Sequence, residues 1–316
     1  MSYSPEVYAK IGEIYNRRRR DAIEGLDARI EEANEKIPGM RQIERVLSAT
    51  GLRAMEAIRA GEGIDAVREE NDRLVARREE LLISHGYPAD WCDPRYVCPL
   101  CQDTGFVDGK YCACMKDALY RAQAELSGLG KLLGAQTFDN FDLNYYEQRE
   151  EAASVLSRCR DFAENGCARG ENLLLIGGTG LGKTHLSTAI ADCAMRNGRS
   201  VIYESAPSVV ENFRREQYRS FSDKTPVTTE KYFDADLLIL DDLGCELPGA
   251  FTVATVYNLV NTRMLSGRST LINTNLSASE ITERYDRRIV SRLFGNYSVC
   301  LLTGEDVRMQ KLREKK

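Results

Sequence analysis

The chain begins with a helical pattern. Between residues 5 and 36, Ile11, Ile14, Ile23, Leu26 and Ile30 recur among many charges and few breakers, which predicts one long helix with a narrow apolar face. Pro38-Gly39 ends it, because proline lacks a donor and glycine favours the turn. A second run sets Ile43, Val46, Leu47, Met55 and Ile58 along a helical face, and Gly61-Glu62-Gly63 separates it from a third run ending near Leu82. Three such helices predict a hairpin or small bundle. Val67, Leu74 and Leu81 lie seven apart, yet Asn71 and Arg78 hold the alternate seam positions, which disfavours a long dimeric coiled coil. The arginine run from Arg17 to Arg20 wraps around its helix and reads as a solvated surface.

At residues 85 to 117 the pattern changes: Gly, Pro, Asp and five cysteines replace helical spacing, which predicts a compact module. From Phe138 onward short aliphatic runs alternate with helix-length segments. The runs are "LLLIG" (173–177), "SVIYE" (200–204), "DLLILDD" (236–242) and "STLINTN" (269–275). Such alternation predicts an α/β domain, a parallel sheet with helices on both faces.

At 316 residues and 43% hydrophobic content the chain is long enough for about two domains. The first residues lack an apolar core behind a basic start, and no apolar run approaches the ~20 residues that span a bilayer, so a cytoplasmic protein without a membrane partner is expected. That setting directs the ten cysteines towards metal binding or plain burial rather than disulfides. A net charge of -5 gives no global basic field, so contact with nucleic acid requires a local basic surface.

Cysteine spacing selects one cluster. Cys98 and Cys101 form a C-x2-C knuckle, and Cys112 and Cys114 a C-x-C pair, with Gly105 and Gly109 allowing turns between them. Four thiolates at this spacing predict a closed, structural zinc (Zn2+) site; Cys92 is a spare donor, and an iron–sulfur cluster would use the same ligands. Cys159, Cys167, Cys193, Cys245 and Cys300 stand alone and read as packing residues.

The stretch "GGTGLGKT", Gly177, Gly178, Thr179, Gly180, Leu181, Gly182, Lys183 and Thr184, matches G-x-x-x-x-G-K-[ST] between an expected strand and an expected helix that opens with His185. Backbone N–H groups freed by the glycines would cradle the phosphates of ATP, Lys183 would reach the β and γ phosphates, and Thr184 would ligate magnesium (Mg2+). "DLLILDDLG" supplies the second half, with Asp241 holding magnesium and Asp242 orienting or deprotonating the attacking water. Asn275, at the end of the next strand, is the expected γ-phosphate sensor. Arg292, in the arginine-rich "ERYDRRIVSRLFG", is a candidate finger that enters a neighbouring subunit's site and implies self-association.

Two stretches are candidates for nucleic acid. Phe213, Arg214, Arg215, Tyr218, Arg219 and Phe221 interleave aromatic and basic residues, a composition suited to stacking on single-stranded DNA, although Val209, Val210 and Phe213 also fit ordinary helix packing. Residues 282 to 316 carry nine Lys or Arg against five Asp or Glu.

Together, "TFDNFDL", "GTGLGKTHL", "LLILDDLG", "TNL" and "SRL" resemble the AAA+ ATPases of the DnaC/DnaI helicase-loader family, related to DnaA, and "CPLCQDTGFVDGKYCAC" resembles the zinc-bearing region of the DnaI-like branch. The likeness covers roughly residues 90 to 308. It implies an AAA+ P-loop ATPase whose N-terminal part grips a hexameric DnaB-type replicative helicase and whose ATPase part binds ATP and single-stranded DNA. The expected division is 1–85 as a helical helicase-interaction region, 86–130 as zinc module and linker, and 131–316 as an AAA+ domain without a full lid. Asp241-Asp242 stands where the AAA+ pattern has Asp-Glu, which implies slow hydrolysis. With 24 residues after Arg292, Arg308 is the late candidate for a sensor arginine. An IstB-like helper of transposition shares the ATPase core and is the alternative; a metabolic kinase would need a second substrate motif.

Overall fold

The computed structural model describes residues 3–60, 63–218 and 229–314. Lys10–Met115 form one compact unit, and Met1–Ala9 with Lys116–Lys316 form the other.

Three helices dominate the first unit: α1 (Pro5–Lys36), whose first residues belong to the second unit, α2 (Met40–Ala60) and α3 (Asp65–Ser84). They end where the breakers predicted, Gly39 taking a left-handed φ of 87° between α1 and α2. Helices α2 and α3 pack on each other, joined by a bond from the buried Thr50 Oγ1 to Asn71 Oδ1 at 3.0 Å. Ala33, Ile37, Met40, Leu82 and Cys92 form a small core flanked by Tyr87 and Trp91. A hairpin of β1 (Phe106–Val107) and β2 (Lys110–Tyr111) follows. Then α4 (Ala113–Leu126) begins in this unit and continues in the second.

These units part between Met115 and Lys116. Just after residue 85, Tyr87, Trp91 and Cys92 pack into the core of the helices. Residues 116–130 join the second unit: Gln123 Nε2 donates to Val201 O at 2.9 Å, and Tyr203 N donates to Ser127 O at 2.8 Å.

The second unit continues with α5 (Arg149–Asp161), α6 (Cys167–Arg169), β3 (Leu173–Gly177), α7 (Lys183–Arg196), β4 (Val201–Ser205) and α8 (Ala206–Gln217). After the undescribed stretch come α9 (Glu230–Asp234), β5 (Leu237–Leu243), α10 (Ala250–Leu265) and β6 (Ser269–Thr274). Helices α11 (Ala278–Arg284) and α12 (Arg287–Asn296), strand β7 (Ser298–Leu302) and helix α13 (Val307–Glu314) complete it. The strands form one parallel sheet in the order β4-β5-β6-β3-β7.

Alternate residues of the central strands enter separate cores. Leu173, Leu175, Leu237, Ile239 and Leu271 face one core with α5 and α7, while Leu174, Ile176, Leu238, Leu240 and Ile272 face the other with α8, α10 and α12. A strand buried on both faces must be apolar throughout, which is why these runs lack alternation. The result is the α/β architecture expected, a parallel sheet with helices on both faces, with β3 between β6 and β7 and its loop at the carboxyl edge, where open α/β sheets bind ligands. Fully buried Arg263 fixes the approach to β5, donating to the carbonyls of Tyr232, Ala235 and Ser269. Burial pulls its pKa down to about 10, so these carbonyls replace water as its solvation shell.

Candidate nucleotide site and metal centre

Gly182 starts α7 with a left-handed φ of 85°, the conformation that aims the loop's amides and the helix N-terminus at one point. A Cβ there would lie 2.8 Å from Tyr146 Oη and 2.9 Å from Phe141 Cε2, so glycine is also the only residue that fits. Those two rings stack at 5.4 Å, and Tyr146 Oη donates to Leu181 O at 2.8 Å. The "TFDNF" stretch thus buttresses the loop: Thr137 and Asn140 close a turn on each other, and Phe141 and Tyr146 support the loop backbone.

Thr179, Gly180, Leu181, Gly182, Lys183, Thr184 and His185 line a cavity of about 340 Å³ together with Asp242 and Asn275. Gly177 and Gly178 lie behind it, where their carbonyls hold the buried Lys183 Nζ at 2.7 and 2.8 Å. Lys183 also donates to Asn275 Oδ1 at 2.6 Å, so the lysine and the predicted sensor meet although 92 positions apart. Burial lowers the lysine's pKa, opposed by the charges of Asp241 and Asp242. His185 lines the cavity but its Nε2 lies 2.8 Å from Thr137 O, which ties it to the loop's support; burial lowers its pKa.

Asp241 ends the buried part of β5. Its Oδ1 accepts from Asn273 Nδ2 at 2.8 Å and its Oδ2 from Tyr203 Oη at 2.5 Å. Asp242 turns into the cavity with a left-handed φ of 55°, and burial followed by repulsion from Asp241 raises its pKa. One aspartate is therefore tethered for a metal shell, and the other is more basic and faces the cavity, which suits a water-orienting base. Thr184 and Asp241 are the residues that would hold magnesium.

Other expectations separate here. Arg308 lines the cavity from α13, as does Lys311, while Arg292 does not: it lies on α12, bonded to Asn261 Oδ1 at 2.8 Å and Tyr257 Oη at 3.0 Å. Phe213 is half-buried, its ring packing on Tyr232 at 6.0 Å and Phe233 at 5.8 Å against a core of the sheet, as its helix-packing reading expects. Arg214 and Arg215 both pair with Glu211, at 3.3 and 3.2 Å, and Tyr218 is 75% exposed. Arg219 and Phe221 lie outside the described residues. The sequence reading missed Gln136, Phe141, Tyr146 and Tyr203, which join the site only through long-range packing.

In the first unit, the Sγ atoms of Cys98, Cys101, Cys112 and Cys114 all lie within 4.8 Å of one another. Cys98–Cys112 is 3.9 Å and Cys101–Cys114 is 3.5 Å, close to the roughly 3.8 Å edge of a tetrahedron of Zn–S bonds. The fold prepares this arrangement without disulfides: buried Asp103 accepts from the amides of Val97 and Cys98 at 2.8 and 2.9 Å. Cys112 N donates to Gly105 O at 2.9 Å, and a Cβ on Gly105 would strike Met115 Cε at 2.2 Å. Within this cluster the backbone amide of Cys101 lowers the Cys98 pKa, while burial raises those of Cys101 and Cys114. Cys92 is no spare ligand. It is buried in the helical core and its thiol pKa is raised by that burial.

A family model described as IstB-like ATP binding protein matches residues 115–313, which contain the entire nucleotide site. The chain belongs to this family. Among curated relatives, it is 24% identical to the replicative helicase loader DnaC of Buchnera aphidicola subsp. Baizongia pistaciae over 190 residues, which is 59% of this chain and 74% of that protein. It is 23% identical to DnaC of Escherichia coli over 150 residues, 48% of this chain and 61% of that one. The chromosomal replication initiator DnaA of Rickettsia bellii is 33% identical over 165 residues, half of this chain and 33% of its own length. Solved structures that it resembles include the DnaC helicase loader, with a TM-score of 0.47, 21% identity, and coverage of 55% of this chain and all of that one. AMPPCP-bound DnaA from Aquifex aeolicus gives 0.46 and 23%, covering 58% and 56%. All four metal-site cysteines precede the part matched by the family model.

Proposed function

We propose that this IstB-family ATP-binding protein is an ATP-dependent loader that binds the replicative DNA helicase and delivers it onto single-stranded DNA. The observation that carries the nucleotide reading is the convergence of Lys183, Asn275 and Asp242 on one cavity beneath a glycine loop. Lys183 and the loop amides would bind the β and γ phosphates of ATP, and Thr184 and Asp241 would hold magnesium, which neutralises charge on the transferring phosphoryl group. Asp242, shorter than glutamate, would orient water from further back, consistent with slow turnover. Asp242→Asn is expected to keep Mg-ATP binding and lose about a hundredfold in turnover, measured by phosphate release against nucleotide titration. Unchanged turnover would assign the water to another group.

What favours a loader over a helper of transposition is the Lys10–Met115 unit, a helical and four-cysteine addition that the family model leaves unmatched. Its α2 carries Leu52, Met55 and Ile58 at 65%, 70% and 65% exposure, an apolar stripe of the kind used in helix-in-groove docking. Membership of the IstB-like family supports the second reading, in which the partner is a transposase. Capture of a hexameric DnaB-type helicase by the full chain, lost in the Leu52→Ser, Met55→Ser, Ile58→Ser variant with nucleotide binding intact, is the expected result. Capture of a transposase instead would establish the alternative. Arg292, outside its own cavity, is assigned to a neighbouring subunit's nucleotide. Tyr218, Arg214 and Arg215 remain the proposed contacts to single-stranded DNA.

Among the described residues no helix is long and apolar enough to cross a membrane.

A further inference from the structure

Asp241 is held more elaborately than a magnesium-binding aspartate requires. Ser187 Oγ, on α7, donates to Asn273 Oδ1 at 3.0 Å. That bond fixes the amide so that its Nδ2 faces Asp241 Oδ1, at 2.8 Å. On the opposite side Tyr203 Oη, on β4, donates to Asp241 Oδ2 at 2.5 Å. Tyr203 therefore touches one of the two side chains that would hold magnesium.

The phenol is itself tightly placed. Its ring packs against the α5 and α7 side of the sheet. Its amide donates to Ser127 O at 2.8 Å, and Gly128 approaches so closely that a Cβ there would lie 2.6 Å from Tyr203 O. A phenol hydroxyl facing a carboxylate oxygen is the donor of the pair.

We infer that Tyr203 is a positioning residue of the magnesium site: its hydroxyl, opposite Asn273, locks the rotamer of Asp241 and leaves the outward lone pairs of that carboxylate for metal-bound water. This rests on the nucleotide reading above. Without the phenol proton, the carboxylate would turn about its own axis and hold the metal shell less well. Outer-shell partners of this kind are worth about ten- to a hundredfold in metal affinity or activity.

The test is Tyr203→Phe, which removes one oxygen and keeps the ring that packs. Binding of a fluorescent ATP analogue to the full chain is followed while free magnesium is varied, beside a titration in EDTA and a thermal melt. The expected result is a rise of about tenfold or more in the magnesium concentration for half-maximal binding, with metal-free nucleotide affinity and melting temperature unchanged. At saturating magnesium, KM should return to the wild-type value. An unaltered magnesium requirement overturns the inference, and so does a lowered one, which would make the hydroxyl a competitor of the metal. If wild-type protein shows no magnesium-dependent binding at all, the nucleotide reading falls and this inference falls with it.

Discussion

Lys183→Ala is expected to reduce Mg-ATP turnover by about a hundredfold or more and to weaken ATP binding, while the fold persists. The ammonium gathers three oxygens around one nitrogen, from Gly177, Gly178 and Asn275, at 2.6 to 2.8 Å. None of these is a counter-charge. The nearest carboxylates, Asp241 and Asp242, act on it electrostatically but make no ion pair with it, so the lysine's charge is held in reserve for phosphate. Removing it takes away the cation that offsets the γ phosphate in a partly desolvated cavity, where such a charge counts for more than in water. Stability should change little, because burial already disfavours the lysine's charged form and no apolar core depends on it. Phosphate release, nucleotide titration and a thermal melt check the three parts. Equal turnover and affinity in the variant would remove the cavity from consideration as an ATP site.

Much of that cavity was legible in the sequence because its parts are local. A glycine loop between a buried strand and a helix has one efficient geometry, and an aspartate pair ending a second buried strand lands at the same sheet edge. Asn275 was legible for the same reason: β6 lies between β3 and β5, so the residue just after it must emerge beside the loop. What was illegible depends on neighbours far along the chain. Tyr203 lies in a strand read only as an aliphatic run, and its role appears when β4 pairs with β5 and places Ser205 opposite Asp241. Strand β7 went unread because "SVCLL" is short, mixes polar with apolar residues, and leaves Leu301 55% exposed at the sheet edge. Phe213 was ambiguous for the converse reason. An aromatic beside arginines looks the same in sequence whether it faces solvent or a core, and its contacts with Tyr232 and Phe233 on α9 appear only in the fold.

The first unit answers to different physics, and its test is removal of metal ligands. Cys98→Ser with Cys101→Ser is expected to abolish binding of about one zinc per chain and to unfold residues 97 to 115, with ATP binding retained. Near the four thiols several apolar side chains are exposed, Phe106 at 47%, Leu100 at 70% and Val97 at 67%, and the two-residue strands β1 and β2 make a hairpin too short to stand alone. Gln102, Asp103 and Asp108 all hold left-handed φ values near 50°, a conformation that costs non-glycine residues energy and that a bound metal would offset. Structural zinc sites contribute about 10–16 kcal/mol of apparent binding free energy, as much as a whole domain's net stability of about 5–15 kcal/mol, so losing two of four thiolates removes the driving force for this module. The helical core of Ala33, Ile37, Met40, Leu82 and Cys92 uses none of these ligands and should keep α1 to α3 folded. Metal analysis, hydrogen exchange across residues 97 to 115 and nucleotide titration of the same sample separate these outcomes. Wild-type protein purified under reducing conditions without zinc or iron would overturn the metal assignment, and loss of ATP binding in the variant would show that the two units do not fold independently.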